Sequence, residues 1–123
     1  MGEHRQVKWL PEPADDNYGS AEAYLSLQYK PKQARKWAGR LREAPMTQYA
    51  AKDILRASSI SIMAVQAFDW SRQQHQIAEG TPLSPILLVR QGKGRPLIIA
   101  DGFHRLCALF AEDEQLQVPC KIV

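Results

Sequence analysis

The sequence predicts an α/β domain, more narrowly an α+β domain, in which a small mixed β-sheet is flanked by helices. Three observations support this class. Two apolar runs, at residues 83–90 and 96–100, are joined by a glycine-rich turn and indicate a β-hairpin. A helix with a clear apolar stripe follows, and the chain closes on an apolar strand. At 123 residues, with 45% apolar and 24% charged residues, the chain fits one globular unit.

The N-terminal third predicts an arm followed by two helices. Residues 1–17 are rich in turn-forming residues and show little periodicity, which favours an arm or loop. Ser20 is a good N-cap, and the spacing of Ala21, Tyr24 and Leu25 predicts a short helix after it. Residues 31–43 predict a second helix with an apolar stripe at Ala34, Trp37, Ala38 and Leu41. We assign residues 1–44 to an N-terminal arm and helical extension, and residues 45–123 to the main domain.

The main domain predicts strands and helices in alternation. Residues 46–54 alternate as a strand does, residues 55–68 fit either type, and residues 70–79 are helical in composition and end at Gly80. The hairpin comes next, with its turn at residues 91–94. A helix opening at Gly102 carries an apolar stripe at Phe103, Leu106, Cys107 and Phe110, and residues 118–123 form a last strand.

Several function classes are disfavoured by composition. No apolar run approaches the roughly 20 residues that span a bilayer, and the N-terminus lacks the apolar region of an export signal, so we expect a cytoplasmic protein with no membrane partner. Cys107 and Cys120 have no metal-binding spacing and suit buried, reduced thiols. The three histidines are scattered, so a metal ion would arrive with a nucleotide.

Residues 101–105, DGFHR, stand where the second hairpin strand turns into a helix. A glycine there lets the backbone approach a ligand closely, and the first-turn amides of a helix attract anions. His104 is a candidate for proton transfer or phosphate binding, and Arg105 can grip two oxygens of a phosphate. The alternative is structural: Asp101 as a helix cap and Gly102 as a turn glycine.

The segments PLSPILLV, LIIADGFHRLCAL and VPCKIV, in this order, resemble the ParB/sulfiredoxin-like superfamily, which includes the ParB-like nuclease domain. The resemblance covers residues 82–123. It implies a site for ATP or another nucleoside triphosphate with magnesium, in which Gly102, Phe103, His104 and Arg105 bind phosphates. Arg56, in the segment KDILR, resembles a second phosphate contact of the family. Asp101 and His104 are then the catalytic candidates, and Asp101 also a magnesium ligand through the nucleotide.

Two departures from the family narrow the activity. Sulfiredoxins carry GCHR and use the cysteine thiolate as nucleophile, whereas this chain has Phe103 at that position, which excludes sulfinic acid reduction. Partition proteins carry consecutive arginines and a helix-turn-helix domain, and this chain shows neither, so site-specific partition is not expected.

The leading hypothesis is a nucleotide-binding protein, an NTP hydrolase or a phosphotransferase acting on a small molecule, with Arg105 and Arg56 neutralising transition-state charge. One alternative is a nucleic-acid-binding or nuclease-like module that contacts DNA through the basic face of residues 31–43, with Lys32, Arg35 and Lys36. Another is a catalytically inert interaction scaffold. The sequence leaves open the acceptor, the nucleotide and the oligomeric state.

Overall fold

The computed structural model describes residues 7–67 and 69–123. Residues 1–6 of the predicted arm, and Phe68 at the end of the ambiguous segment, lie outside the described residues. The helices are α1 (Asp15–Leu25), α2 (Pro31–Glu43), α3 (Ala51–Ala57), α4 (Ile62–Ala67), α5 (Ser71–Glu79) and α6 (Phe103–Glu112). The strands are β1 (Thr47–Ala50), β2 (Ile86–Val89), β3 (Ile98–Asp101) and β4 (Gln117–Ile122).

The four strands form one mixed sheet in the order β1-β4-β2-β3. The pairs β1–β4 and β2–β3 are antiparallel, and β2 and β4 run parallel. The last strand in the chain therefore lies inside the sheet, and β3 forms one of its edges. The predicted hairpin is confirmed as β2–β3, with a bulge between Leu87 and Leu88.

Helices cover both faces of the sheet, because β2 and β3 alternate apolar side chains between two buried clusters. Leu87, Val89, Ile98 and Ala100 pack with α1 and α2. Ile86, Leu88 and Ile99 pack with α3, α5 and α6 on the opposite face. Strands that are apolar on both faces are the expected consequence of burial on both sides. The predicted α+β class, a small mixed sheet flanked by helices, is confirmed.

Most of the predicted elements are found, and α2 has the predicted bounds. The predicted start of α1 at Ser20 is wrong, because the helix begins at Asp15. No side chain caps this end, but the Ala14 amide donates a hydrogen bond to Ser84 Oγ at 2.9 Å. The strand predicted at residues 46–54 is shorter than expected, since β1 ends at Ala50 and α3 begins directly after it.

The N-terminal segment and α1 are attached to the sheet side by long-range contacts. Leu83 exchanges two backbone hydrogen bonds with residues 8 and 10, both at 2.8 Å. Lys121 of β4 is buried, and its Nζ donates to the Arg42 carbonyl at 2.9 Å and lies 3.1 Å from Glu12 Oε1. Burial by itself lowers the pKa of Lys121, but interactions with Tyr18 and Glu12 raise it above its ordinary value, so the cation is retained.

Among the described residues, no helix combines the length and the apolar character that crossing a bilayer requires.

Candidate functional site

The DGFHR segment lies at the turn from β3 into α6, as its sequence predicts. β3 ends at Asp101, α6 begins at Phe103, and Gly102 between them has φ of +105°. The intrahelical ladder starts with the Leu106 amide, which donates to the Gly102 carbonyl at 2.9 Å. A Cβ atom on Gly102 would lie 2.0 Å from Cγ2 of Ile86. Glycine is therefore required here by both the backbone conformation and the packing.

A cavity of about 680 Å³ lies along the outer edge of β3. Its floor is the strand itself, and one wall is formed by the exposed side of α1, while the loop after α3 forms another. The N-terminal end of α6 closes one end of the cavity, so the positive end of the helix dipole faces it. The lining residues are Ser20, Tyr24, Gln28, Ser58, Ile60, Gln91, Pro96, Leu97, Ile98, Ile99, Ala100, Asp101, Gly102, Phe103 and His104.

Arg105 is turned away from this lining toward a polar network behind the site. Its Nη2 donates to Asp101 Oδ2 at 3.0 Å and to Asn17 Oδ1 at 3.4 Å. Asn17 Oδ1 also accepts a hydrogen bond from Ser84 Oγ. The side chains of Arg105 and Asp101 are only 19% and 17% exposed. The network therefore fixes the Asp101 carboxylate at the end of β3 and connects it to the first turn of α1.

One nitrogen of this guanidinium is not satisfied. Among the described residues, Arg105 Nε is a buried polar side-chain atom without a hydrogen-bond partner. A buried donor in this state costs about 1–3 kcal/mol. The ion pair with Asp101 thus holds the Arg105 side chain, although the hydrogen-bonding capacity of the guanidinium is not fully satisfied.

His104 is exposed at the cavity, with its ring edge-on to Phe103 at a centroid separation of 5.5 Å. The pKa of Asp69 is lowered chiefly by hydrogen bonds from the Ser71 hydroxyl, at 2.7 Å, and the Ser71 amide, at 3.1 Å, and to a smaller extent by an electrostatic interaction with His104. These interactions favour the ionised form of Asp69.

The structure brings together some of the predicted site residues and separates others. Asp101, Gly102, Phe103 and His104 line one cavity, and Arg105 lies directly behind it. Arg56 is not among the lining residues: its side chain is 81% exposed, and its Nη1 lies 3.8 Å from Asp53 Oδ1. The predicted phosphate contact by Arg56 therefore has no counterpart in this cavity.

The basic residues of the alternative hypothesis lie on α2. Lys32, Arg35 and Lys36 are all exposed, whereas the opposite side of α2 carries the buried residues Ala34, Ala38 and Leu41. The surface formed by Lys32, Arg35 and Lys36 is hereafter the basic face of α2. It belongs to a different part of the molecule from the residues that line the cavity.

Sequence reasoning missed the cavity wall on α1 and the acidic neighbour of His104. Ser20 and Tyr24 lie one turn apart, and the buried residues Tyr18, Ala21 and Leu25 occupy another side of the helix. The sequence pattern groups Tyr24 with Ala21 and Leu25, so it does not distinguish the exposed side of α1 from the buried side. No local signal connects Asp69 with His104, because the two residues are distant in sequence and their electrostatic interaction arises from the fold.

The described residues contain no group of three or more His, Cys, Asp or Glu side chains in a metal-binding arrangement. Asp101 offers a single carboxylate, which matches the way magnesium is held when substrate phosphates supply other ligands. Burial raises the pKa of both Cys107 and Cys120 to about 11, which keeps them protonated near neutral pH.

Comparison with protein-family models, with curated proteins and with solved structures finds no match to this chain. The resemblance of residues 82–123 to the ParB/sulfiredoxin-like superfamily stays a prediction.

Proposed function

We propose that the protein binds a nucleotide in the cavity along β3, in the cytoplasm, and acts as an NTP hydrolase or a small-molecule phosphotransferase. One observation carries the proposal: a cavity of about 680 Å³ ends at the N-terminus of α6, with Asp101 and His104 on its wall. A cavity of this volume falls within the range that holds small organic ligands and cofactors. The helix end supplies a region of positive potential for phosphate oxygens.

Some residues of the site would contact the ligand, and others hold those contacting residues in position. Gly102 allows close approach of the backbone, and His104 is placed for proton transfer or for a hydrogen bond to a phosphate oxygen. Asp101 is the residue that would hold the magnesium ion of a bound nucleoside triphosphate, and that ion supplies charge neutralisation for the phosphates. In this arrangement Arg105 affects ligand binding indirectly, because it holds the Asp101 carboxylate in position.

Among the described residues, the cavity lining contains no lysine or arginine, and this composition limits the kind of ligand that the cavity can bind. A polyphosphate without a cation would meet the Asp101 carboxylate on the cavity wall, whereas Arg105, which pairs with Asp101, is not among the lining residues. We therefore expect nucleotide binding to require magnesium.

We expect isothermal titration with ATP, ADP, CTP and GTP plus magnesium to show selective binding that His104→Ala weakens by about tenfold, or about 1.4 kcal/mol. Arg105→Lys keeps the cation but not the guanidinium geometry, and should weaken binding through displacement of Asp101. His75→Ala is the matched control, because His75 is an exposed histidine on α5 that pairs with Glu79 and does not line the cavity. No binding of any of the four nucleotides by the folded wild-type protein would overturn the proposal.

The basic face of α2 supports a second candidate function, a nucleic-acid-binding or nuclease-like activity. Lys32, Arg35 and Lys36 are exposed together on one helix, where they can contact a phosphate backbone.

Under this second function, DNA affinity measured by fluorescence anisotropy should fall steeply with salt. Changing all three residues to Ala should reduce the slope of log affinity against log salt by about 0.9 for each phosphate that the protein no longer neutralises. Lys93→Ala with Arg95→Ala, at the exposed hairpin tip, is the control. An affinity independent of salt, or equal losses in both variants, would exclude the basic face of α2 as the DNA-binding surface.

A further inference from the structure

The exposed side of α1 runs the length of the cavity from the DGFHR segment to the hairpin tip. Near its N-terminus, Asn17 accepts a hydrogen bond from Arg105, at 3.4 Å. Beyond its C-terminus, the Tyr29 hydroxyl donates a hydrogen bond to Gln91, which is next to the hairpin turn. These two contacts fix the direction of α1 along β3. Residues on its exposed side therefore line the cavity in order of distance from the N-terminus of α6.

Tyr24 occupies the middle of this wall. It lies seven residues beyond Asn17, which at a rise of 1.5 Å per residue is roughly 10 Å along the helix. Ser20 precedes it by one turn and Gln28 follows it by four residues, and all three line the cavity. A ligand with its phosphates at the N-terminus of α6 would therefore extend past Ser20 toward Tyr24 and Gln28.

The environment of Tyr24 differs from that of the other two tyrosines of this region. Tyr18 is buried under Arg42, whose guanidinium carbon lies 4.5 Å from the ring centroid, and Tyr29 packs edge-on against Trp37 at 4.7 Å. Tyr24 is 45% exposed, and its side chain makes no hydrogen bond or ring contact with another described residue. The core of α1 is complete without it, since Tyr18, Ala21 and Leu25 supply the buried side.

We propose that Tyr24 is the platform on which the base of the bound nucleotide stacks, and that the Gln28 carboxamide contacts the edge of that base. This inference rests on the proposed function and names its ligand class: a nucleotide, recognised by its base as well as by its phosphates. An exposed aromatic ring stacks on any nucleobase, because each base presents a π-face. A carboxamide both donates and accepts, so it can pair with the donor and acceptor groups of a base edge and distinguish one base from another.

The test compares ligands that share the phosphates but differ in the base. Wild type, Tyr24→Ala and Tyr24→Phe are titrated with ATP, CTP and GTP and with inorganic tripolyphosphate, all with magnesium. We expect Tyr24→Ala to weaken the nucleotides by roughly tenfold or more and to leave tripolyphosphate unchanged, whereas Tyr24→Phe keeps the ring and binds as the wild type does. Gln28→Ala should narrow the differences in affinity among the three nucleotides. Tyr49→Ala is the control, since Tyr49 is similarly exposed but lies on β1 and does not line the cavity.

The possible outcomes separate this inference from the proposed function. If the wild type binds nucleotides but Tyr24→Ala binds them equally well, the inference that the base stacks on Tyr24 is wrong, whereas the proposed nucleotide site is still supported. Equal weakening of nucleotides and tripolyphosphate in Tyr24→Ala also overturns the inference, because the effect then does not depend on the base. If the folded wild type binds none of the four ligands, the proposed function fails, and the base platform with it.

Discussion

Replacing Gly102 with alanine is expected to destabilise the protein by roughly 2–5 kcal/mol, the sum of a backbone strain and a steric clash. The φ of +105° is one that residues with a Cβ rarely adopt. The added Cβ would lie 2.0 Å from Ile86 Cγ2 and 2.8 Å from Arg105 Nη2. Ile86 is fully buried on β2 and has no room to retreat. Chemical denaturation should show a correspondingly lower free energy of unfolding, and thermal unfolding a fall in Tm of roughly 10 °C or more.

Alanine substitutions at two other glycines distinguish the cost of backbone strain at Gly102 from the cost of the steric clash. Gly94 has φ of +77°, and no atom lies within 4 Å of the place that a Cβ would take, so Gly94→Ala should cost only the strain, about 1–2 kcal/mol. Gly39 lies in the interior of α2 with open space around it, and Gly39→Ala should stabilise the protein by about 0.5–1 kcal/mol. A Gly102→Ala protein that unfolds at the same denaturant concentration as Gly94→Ala would show that the close approach to Ile86 is absent in solution.

The second large effect is expected for Arg105→Ala, which should cost about 2–4 kcal/mol of stability. The substitution removes the cation from Asp101, whose carboxylate is only 17% exposed and has Arg105 Nη2 at 3.0 Å. Breaking one side of a largely buried ion pair is costly because the remaining charge stays desolvated. The double variant Asp101→Asn with Arg105→Ala removes that charge as well, and we expect it to recover about half of the loss.

The matched control for this prediction is Arg56→Ala. Arg56 pairs with Asp53 at 3.8 Å, but the two side chains are 81% and 51% exposed, so the loss should stay below about 1 kcal/mol. Equilibrium denaturation of the wild type and the three variants measures the difference. A double variant less stable than Arg105→Ala alone would indicate that Asp101 is stabilised by the other members of the network and not chiefly by Arg105. The same data identify the variants that are stable enough for binding experiments.

The elements that could be predicted from the sequence are those that a local pattern determines. The bounds of α2 follow from Pro31 and its apolar stripe, and the hairpin follows from two apolar runs around a glycine turn. The start of α1 could not be predicted in this way. It depends on the burial of Tyr18 against the sheet and on the bond from the Ala14 amide to Ser84, a residue distant in sequence. The segment after Pro45 differs for a related reason, because a strand and a helix meet at Ala50 and Ala51 without a turn residue between them.

The same distinction between local sequence patterns and long-range packing applies to the candidate site. The placement of Gly102 between β3 and α6 follows from the sequence, since the apolar run, the glycine and the helical stripe are contiguous. The orientation of Arg105 does not, because its partner Asn17 lies on a helix that the sequence pattern assigns to a separate extension. Asp69 near His104 and the wall formed by Tyr24 also arise from tertiary packing alone. Local patterns thus identify the chemical groups of the site but not the surfaces around them.

The position of β4 between β1 and β2 affects the order in which the fold can assemble during translation. Within residues 7–67 and 69–123, β1 pairs with β4 alone, so Thr47 gains its strand partner when Cys120 has been synthesised. Until then, the edges of β1 and β2 that pair with β4 in the complete sheet remain unpaired. Long-range pairing of this kind slows folding and leaves strand edges open for a longer time. A nascent chain that stalls before β4 would therefore expose an unpaired β1 and the inner edge of β2 to the chaperones around it.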